Sequence, residues 1–198
     1  MKALNGYNEV KASTGEYARL PAGGYVCKIT KVEDVAAKEY LRVSFDIYEG
    51  EYRGWYRDQR EELEDRGYNA SYVGTVIRSY KDSALGFFKA FIAAVDESNG
   101  TQFGPTVESG LDEQKLVGCL VGFVISYEEY QKNNGNIGQR ERVAYQKSIQ
   151  KIRDGDFKVP ELKRLNSSGS GNSFSASAAP AASSELSMLD DDDSDLPF

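Results

Sequence analysis

The 198-residue chain contains no histidine, two cysteines, five prolines, two methionines and a single tryptophan. Histidine is the commonest general base near neutral pH and the commonest nitrogen ligand for zinc, so its absence removes the usual acid–base and metal chemistry together. The two thiols, Cys27 and Cys119, sit inside apolar runs (YVCKI and LVGCLVGFV). They are too few for a zinc site and read as buried free cysteines of a reducing compartment. Acidic clusters such as Glu61-Glu62-Glu64-Asp65 and Glu128-Glu129 read as solvated faces in preference to Mg²⁺ sites. No apolar stretch approaches the roughly 18 residues of a membrane span, and the N-terminus has no apolar signal core. These absences predict a non-enzymatic cytoplasmic protein with no cofactor, no metal and no membrane association.

Lysine and arginine are also missing from residue 166 onward, where six acids stand unopposed; residues 1–165 hold 24 basic and 25 acidic side chains. Nearly all of the net charge of −7 therefore belongs to the tail. The near-neutral body remains able to present local basic patches to a polyanion. Residues 166–188, NSSGSGNSFSASAAPAASSELSM, have too few large apolar groups to offset chain entropy and predict a disordered linker. Its end-to-end distance is about 25 Å for a flexible chain of that length. The predicted organisation is a domain over 1–165, the linker over 166–188 and an acidic tip over 189–198.

Within the body, YVCKITKV (25–32) reads as a strand. YLRVSFDIY (40–48) is a cleaner one, with Leu41, Val43, Phe45 and Ile47 on one face and Tyr40, Arg42, Ser44, Asp46 and Tyr48 on the other. EYRGWYRDQR (51–60) follows a Glu49-Gly50 turn and is expected to be the third strand of a meander, with Gly54 at a bulge. Residues 61–82 suggest a loop with a short helix or strand. SALGFFKAFIAAVDESNG predicts a helix with a stripe of Leu85, Phe88, Phe91, Ile92 and Val95, capped by Asp82 or Ser83 and ended at Asn99-Gly100. LDEQKLVG is a helical turn and CLVGFVISYEEY (119–130) a largely apolar strand. A hairpin at Asn134-Gly135 and the final strand RERVAYQKSI complete the series. Five antiparallel strands with one main helix between the third and fourth predict a mainly β fold, a five-stranded OB barrel followed by a disordered acidic tail.

Such a barrel holds oligonucleotides on its second and third strands and on the loops joining strands 1–2 and 4–5. Single strands are gripped by rings that stack on bases and by cations that track phosphates. The stretch 40–60 interleaves both, in Tyr40, Arg42, Tyr48, Tyr52, Arg53, Trp55, Tyr56, Arg57 and Arg60. A second patch around the last hairpin has Lys132, Arg140, Arg142, Lys147, Lys151 and Arg153 among Tyr127, Tyr130 and Tyr145. Strand alternation sends some of these rings inward, so whichever of Trp55 and Tyr56 faces the core is structural, as is Tyr145 if it shares a face with Val143.

The final residues, Asp190, Asp191, Asp192, Asp193, Ser194, Asp195, Leu196, Pro197 and Phe198, place an apolar end on a carboxylate run. That combination suits a basic pocket with an apolar slot on a partner, and the same aspartates can compete with phosphates for the body's cations. An OB-like body, a Gly/Ser/Ala linker and an acidic tip ending in Pro-Phe resemble bacterial single-stranded DNA-binding proteins. Ser194 within the acidic run and Leu196 in place of the usual Ile are departures from that pattern. LPAGGYVCKITKVEDV, EYLRVSFDIYEGEYRGWY, SYKDSALGFFKAFI and GDFKVPEL are similar to a family encoded by phages of Gram-positive bacteria, across nearly all of residues 7–165. The resemblance implies a protein of phage replication and recombination in the host cytoplasm that coats single-stranded DNA. It further implies a tip that recruits replication, recombination or repair proteins, and it leaves a homo-oligomer open. The competing expectation is an interaction adaptor with an OB-like barrel and no nucleic acid partner.

Overall fold

The structure is a computed structural model that describes residues 19–132 and 134–165. The expected linker and acidic tip lie outside the described residues, as do residues 1–18. Five strands, β1 (Gly23–Val35), β2 (Tyr40–Ile47), β3 (Thr75–Ser79), β4 (Leu120–Gln131) and β5 (Ile137–Lys147), form one sheet in the order β3-β2-β1-β4-β5. Every ladder is antiparallel, and β3 and β5 occupy the two edges. Helix α1 (Trp55–Asp65) lies between β2 and β3, α2 (Leu85–Asn99) between β3 and β4, and the short α3 (Ile149–Arg153) follows β5.

Strand β1 serves two neighbours, pairing with β4 through Gly23–Lys28 and with β2 through Cys27–Val35. A bulge at Thr30 separates Ile29 from Lys31 in the β2 register. The extra residue adds local twist and lets one long strand turn from one partner to the other. Alternation then sends Cys27, Ile29 and Val32 into the main core with Leu41, Val43, Phe45 and Ile47 of β2. From α2, Phe88, Phe91, Ile92 and Val95 close that core, and Gly100 ends the helix in the left-handed region at φ 66°.

Two details of α2 differ from expectation. Leu85 is exposed, because the apolar stripe begins one turn later at Phe88. Neither Asp82 nor Ser83 caps the helix, since both belong to a 3₁₀ turn and the capping position falls to Ala84.

Strand β4 is apolar on both sides for a structural reason. Val121, Phe123 and Ile125 face the main core, while Val124 joins Val26, Ile149 and Ile152 in a second cluster on the opposite face. The segment after α3 roofs that second cluster. Phe157 lies where a Gly24 side chain would be, and Tyr145 Oη both donates to the Lys158 carbonyl and accepts from its amide. Lys163 then bridges alongside β4 opposite Glu128.

The expected third strand is corrected. Residues 51–60 turn into helix α1, and the true β3 is TVIRS, inside the stretch read as loop with a short helix or strand. Gly54 precedes α1 at φ 84°, a conformation that costs glycine little. The Asp46 carboxylate of β2 accepts the Tyr56 amide at 3.0 Å, so a neighbouring strand satisfies a donor at the start of the helix. The chain returns to β3 through Gly74, whose φ is 61° and whose missing Cβ leaves room for the Phe45 carbonyl and the Tyr56 ring.

Candidate nucleic-acid interface

The sheet has an outer face opposite the main core, and the segment after α3 covers only part of it. Over β1, β4 and β5 that face is roofed by α3, Phe157 and Val159. Over the far half of β1 and β2, Lys28 and Lys31 are exposed and Glu33, Arg42 and Ser44 half-buried, while Tyr40 at the end of β2 is buried. Register brings Lys28 beside Asp46, Lys31 beside Ser44, Glu33 beside Arg42 and Ser44 beside Thr75, all side by side on this face. The Ser44 and Thr75 hydroxyls share a hydrogen bond of 3.3 Å.

At one end of this face stands Tyr48, 39 % exposed and anchored by its amide to the Val26 carbonyl. Lys28 Nζ and Arg53 Cζ each lie 5.7 Å from its ring centroid. Neither cation has a carboxylate partner among the described residues. A ring flanked by two such cations offers a base a stacking surface and its phosphates two charges. Tyr48 and Arg53 were legible as candidates; Lys28 was missed, although the alternation of VCKIT places it outward with Val26.

The remaining predicted residues divide by environment. Tyr40 is 7 % and Tyr56 6 % exposed, so both rings are buried and neither offers a face to a base. This corrects the expectation for Tyr40 and gives Tyr56 the structural part. Tyr56 packs edge-on to Phe45 at 5.2 Å and donates its hydroxyl to Glu141 of β5 at 3.1 Å. Burial, with the Glu141 charge, pushes the Tyr56 phenol far above its ordinary value. Trp55 is half-buried with Nε1 cut off from solvent and unpartnered, and it lies edge-to-face with Tyr52 at 5.7 Å. Tyr52 in turn meets Tyr25 at 6.1 Å.

Among the cations, Arg42 reaches Glu33 at 3.5 Å and Arg57 pairs with its neighbour Asp58 at 2.8 Å. Hydrogen bonding from Lys31 is the largest influence holding the Glu33 carboxyl below its usual range. In the hairpin patch, Arg140 and Arg142 both engage Glu128, at 2.8 and 3.4 Å, and Arg140 also lies over the Tyr130 ring. Tyr127 donates to the Leu20 carbonyl and Tyr145 to the Lys158 carbonyl, so two of the three tyrosines there tie down chain segments. Lys132 sits at the hairpin tip, its amide bonded to Asn136 and its carbonyl to Gly135. The structure thus gathers Tyr48, Arg53 and Lys28 into one site with Arg42 along the same face, while in the hairpin patch Arg140 and Arg142 share the single Glu128 carboxylate.

Besides Phe87 on α2, two exposed rings were not singled out from the sequence. Tyr68 and Tyr72 lie on the loop that leads into β3. They follow α1 in a stretch with no strand periodicity, so only the tertiary path shows that they stay at the surface. Among the described residues no cluster of three or more potential metal ligands occurs, and no helix is long and apolar enough to cross a membrane. Compared with protein-family models and with curated proteins, the chain matches none.

Proposed function

We propose that the chain is a non-enzymatic, sequence-tolerant single-stranded DNA-binding protein that coats exposed strands during phage replication and recombination. The observation that carries this reading is the exposed Tyr48 ring between Lys28 and Arg53 on the outer face of β1 and β2. The strand order supports it, because β3-β2-β1-β4-β5 with α2 between β3 and β4 is the order of an OB barrel opened between its third and fifth strands. Helix α2 packs on β3, β4 and β5, so it bridges the two edges where a barrel would close, and Tyr56 of α1 links β2 to β5 through Asp46 and Glu141. The acidic tip, Asp190 to Asp193, Asp195, Leu196, Pro197 and Phe198, would then be offered to replication, recombination or repair proteins. Its tether departs beside the last hairpin, where the Leu165 amide meets Glu129.

The engagement of Arg42, Arg57, Arg140 and Arg142 by the carboxylates of Glu33, Asp58 and Glu128 favours the second reading, an adaptor whose body takes no nucleic acid. Polarisation of a labelled oligo-dT across a salt series separates the two. The first reading expects affinity at low salt that falls as salt rises, since counterion release drives phosphate binding. Absence of binding at low salt overturns it in favour of the adaptor.

A further inference from the structure

A cleft of about 330 Å³ opens between the start of β1, the turn after β2 and α3, at the small end of the 300–1,000 Å³ typical of ligand sites. Tyr25, Tyr52, Gly50, Glu49, Glu51 and Arg153 are among its lining residues. It adjoins the Tyr48 site. Val26 lines it as well, carries the carbonyl that holds the Tyr48 amide, and lies two residues from Lys28, or about 6.6 Å along an extended strand.

The two carboxylates of the cleft stand in different states. Glu49 is held by Arg153 through both oxygens, at 2.5 and 3.1 Å, and that hydrogen bonding is the chief reason its carboxyl lies below the usual range. Glu51 has no hydrogen-bond or ion-pair partner among the described residues. Beside it, Gly50 at φ 87° has open space where a side chain would be, so a flat group can approach the backbone.

We propose that this cleft receives one base of the bound strand and favours guanine, with Glu51 accepting from its Watson–Crick edge. The inference rests on the single-stranded DNA reading above. Guanine presents two adjacent N–H donors on that edge, which match the two oxygens of a carboxylate. Thymine presents one, between two carbonyl oxygens that repel it. Tyr25 and Tyr52 supply the aromatic wall, and Arg153 holds Glu49 out of competition for the same donors.

The test uses the full chain and two labelled probes, a twenty-nucleotide oligo-dT and a strand of equal length alternating dT and dG, compared by polarisation at fixed low salt. The wild type is expected to prefer the dG-containing strand by about three- to tenfold, the scale of one added hydrogen bond of ordinary net strength. Glu51→Gln is expected to abolish that preference while oligo-dT binding stays equal or tightens. Tyr48→Ala should weaken both probes alike and leave the preference intact. Binding of both probes with no wild-type preference, or an equal shift of both in Glu51→Gln, overturns the guanine site and spares the wider reading. Failure of both probes to bind the wild type overturns the wider reading itself.

Discussion

Exposure and neighbours, more than residue type, separate Tyr48 from the other rings predicted to stack. It is exposed and carries two cations without a salt-bridge partner among the described residues, whereas Tyr40 and Tyr56 are buried and Trp55 is half-buried against Tyr52. Tyr48→Ala should therefore cost about 1–3 kcal/mol of oligo-dT binding by polarisation, the usual worth of one stacked base. An unchanged affinity would remove Tyr48 from the interface. Arg78 poses a different problem. The residue as a whole is only half-buried, but Nε and Nη2 are cut off from solvent and without partners. The guanidinium sits 5.5 and 5.6 Å from the Phe91 and Phe123 rings. Burial lowers its pKa to about 10, still well above neutrality, so the charge is retained inside the core. Arg78→Met keeps most of the volume and removes the buried charge. It should raise stability by about 1–3 kcal/mol in urea unfolding, as replacements of buried charge by apolar side chains can. A loss of similar size would mean that the cation finds an anion in solution.

At the scale of elements, helix α1 is tied to the sheet at two points, by the Asp46 carboxylate at its start and by the Tyr56–Glu141 hydrogen bond. Glu141 also accepts the Leu20 amide, fastening the incoming chain to β5. Burial raises the Glu141 pKa above the ordinary carboxylate value, and these hydrogen bonds only partly offset it. A carboxyl raised in the folded state contributes stability that is complete below its unfolded value of about 4.5 and is lost as pH rises through the folded value. Glu141→Gln should flatten this decline, so the variant gains on the wild type as pH rises above the ordinary carboxylate range in urea unfolding. A constant difference would show that the carboxyl does not titrate across folding. The same elements explain why the third strand was misread. Alternation in EYRGWYRDQR fits a strand or a helix, and the acceptors that hold it as a helix, Asp46 on the preceding strand and Glu141 85 residues away, lie outside the segment. By contrast β2 and α2 bury one face against a single core, so their periodicity was readable directly.

For the whole molecule, the governing asymmetry is a near-neutral body joined to a tail that carries six of the 31 acids and no base. If the tip competes with DNA for Lys28 and Arg53, deleting Asp190 to Phe198 should leave oligo-dT affinity unchanged or higher; a fall would refute the competition. Charge division, the apolar end of the tip and the antiparallel succession of strands were determined by the sequence alone, because composition and short-range periodicity express them locally. The identity of β3, the burial of Tyr40 and Tyr56, the pairing of the hairpin arginines with Glu128 and the meeting of Lys28, Tyr48 and Arg53 were decided by the tertiary structure. Each depends on strand register and on partners many residues away, and a bulge of one residue in β1 is enough to change which side chains lie on the outer face.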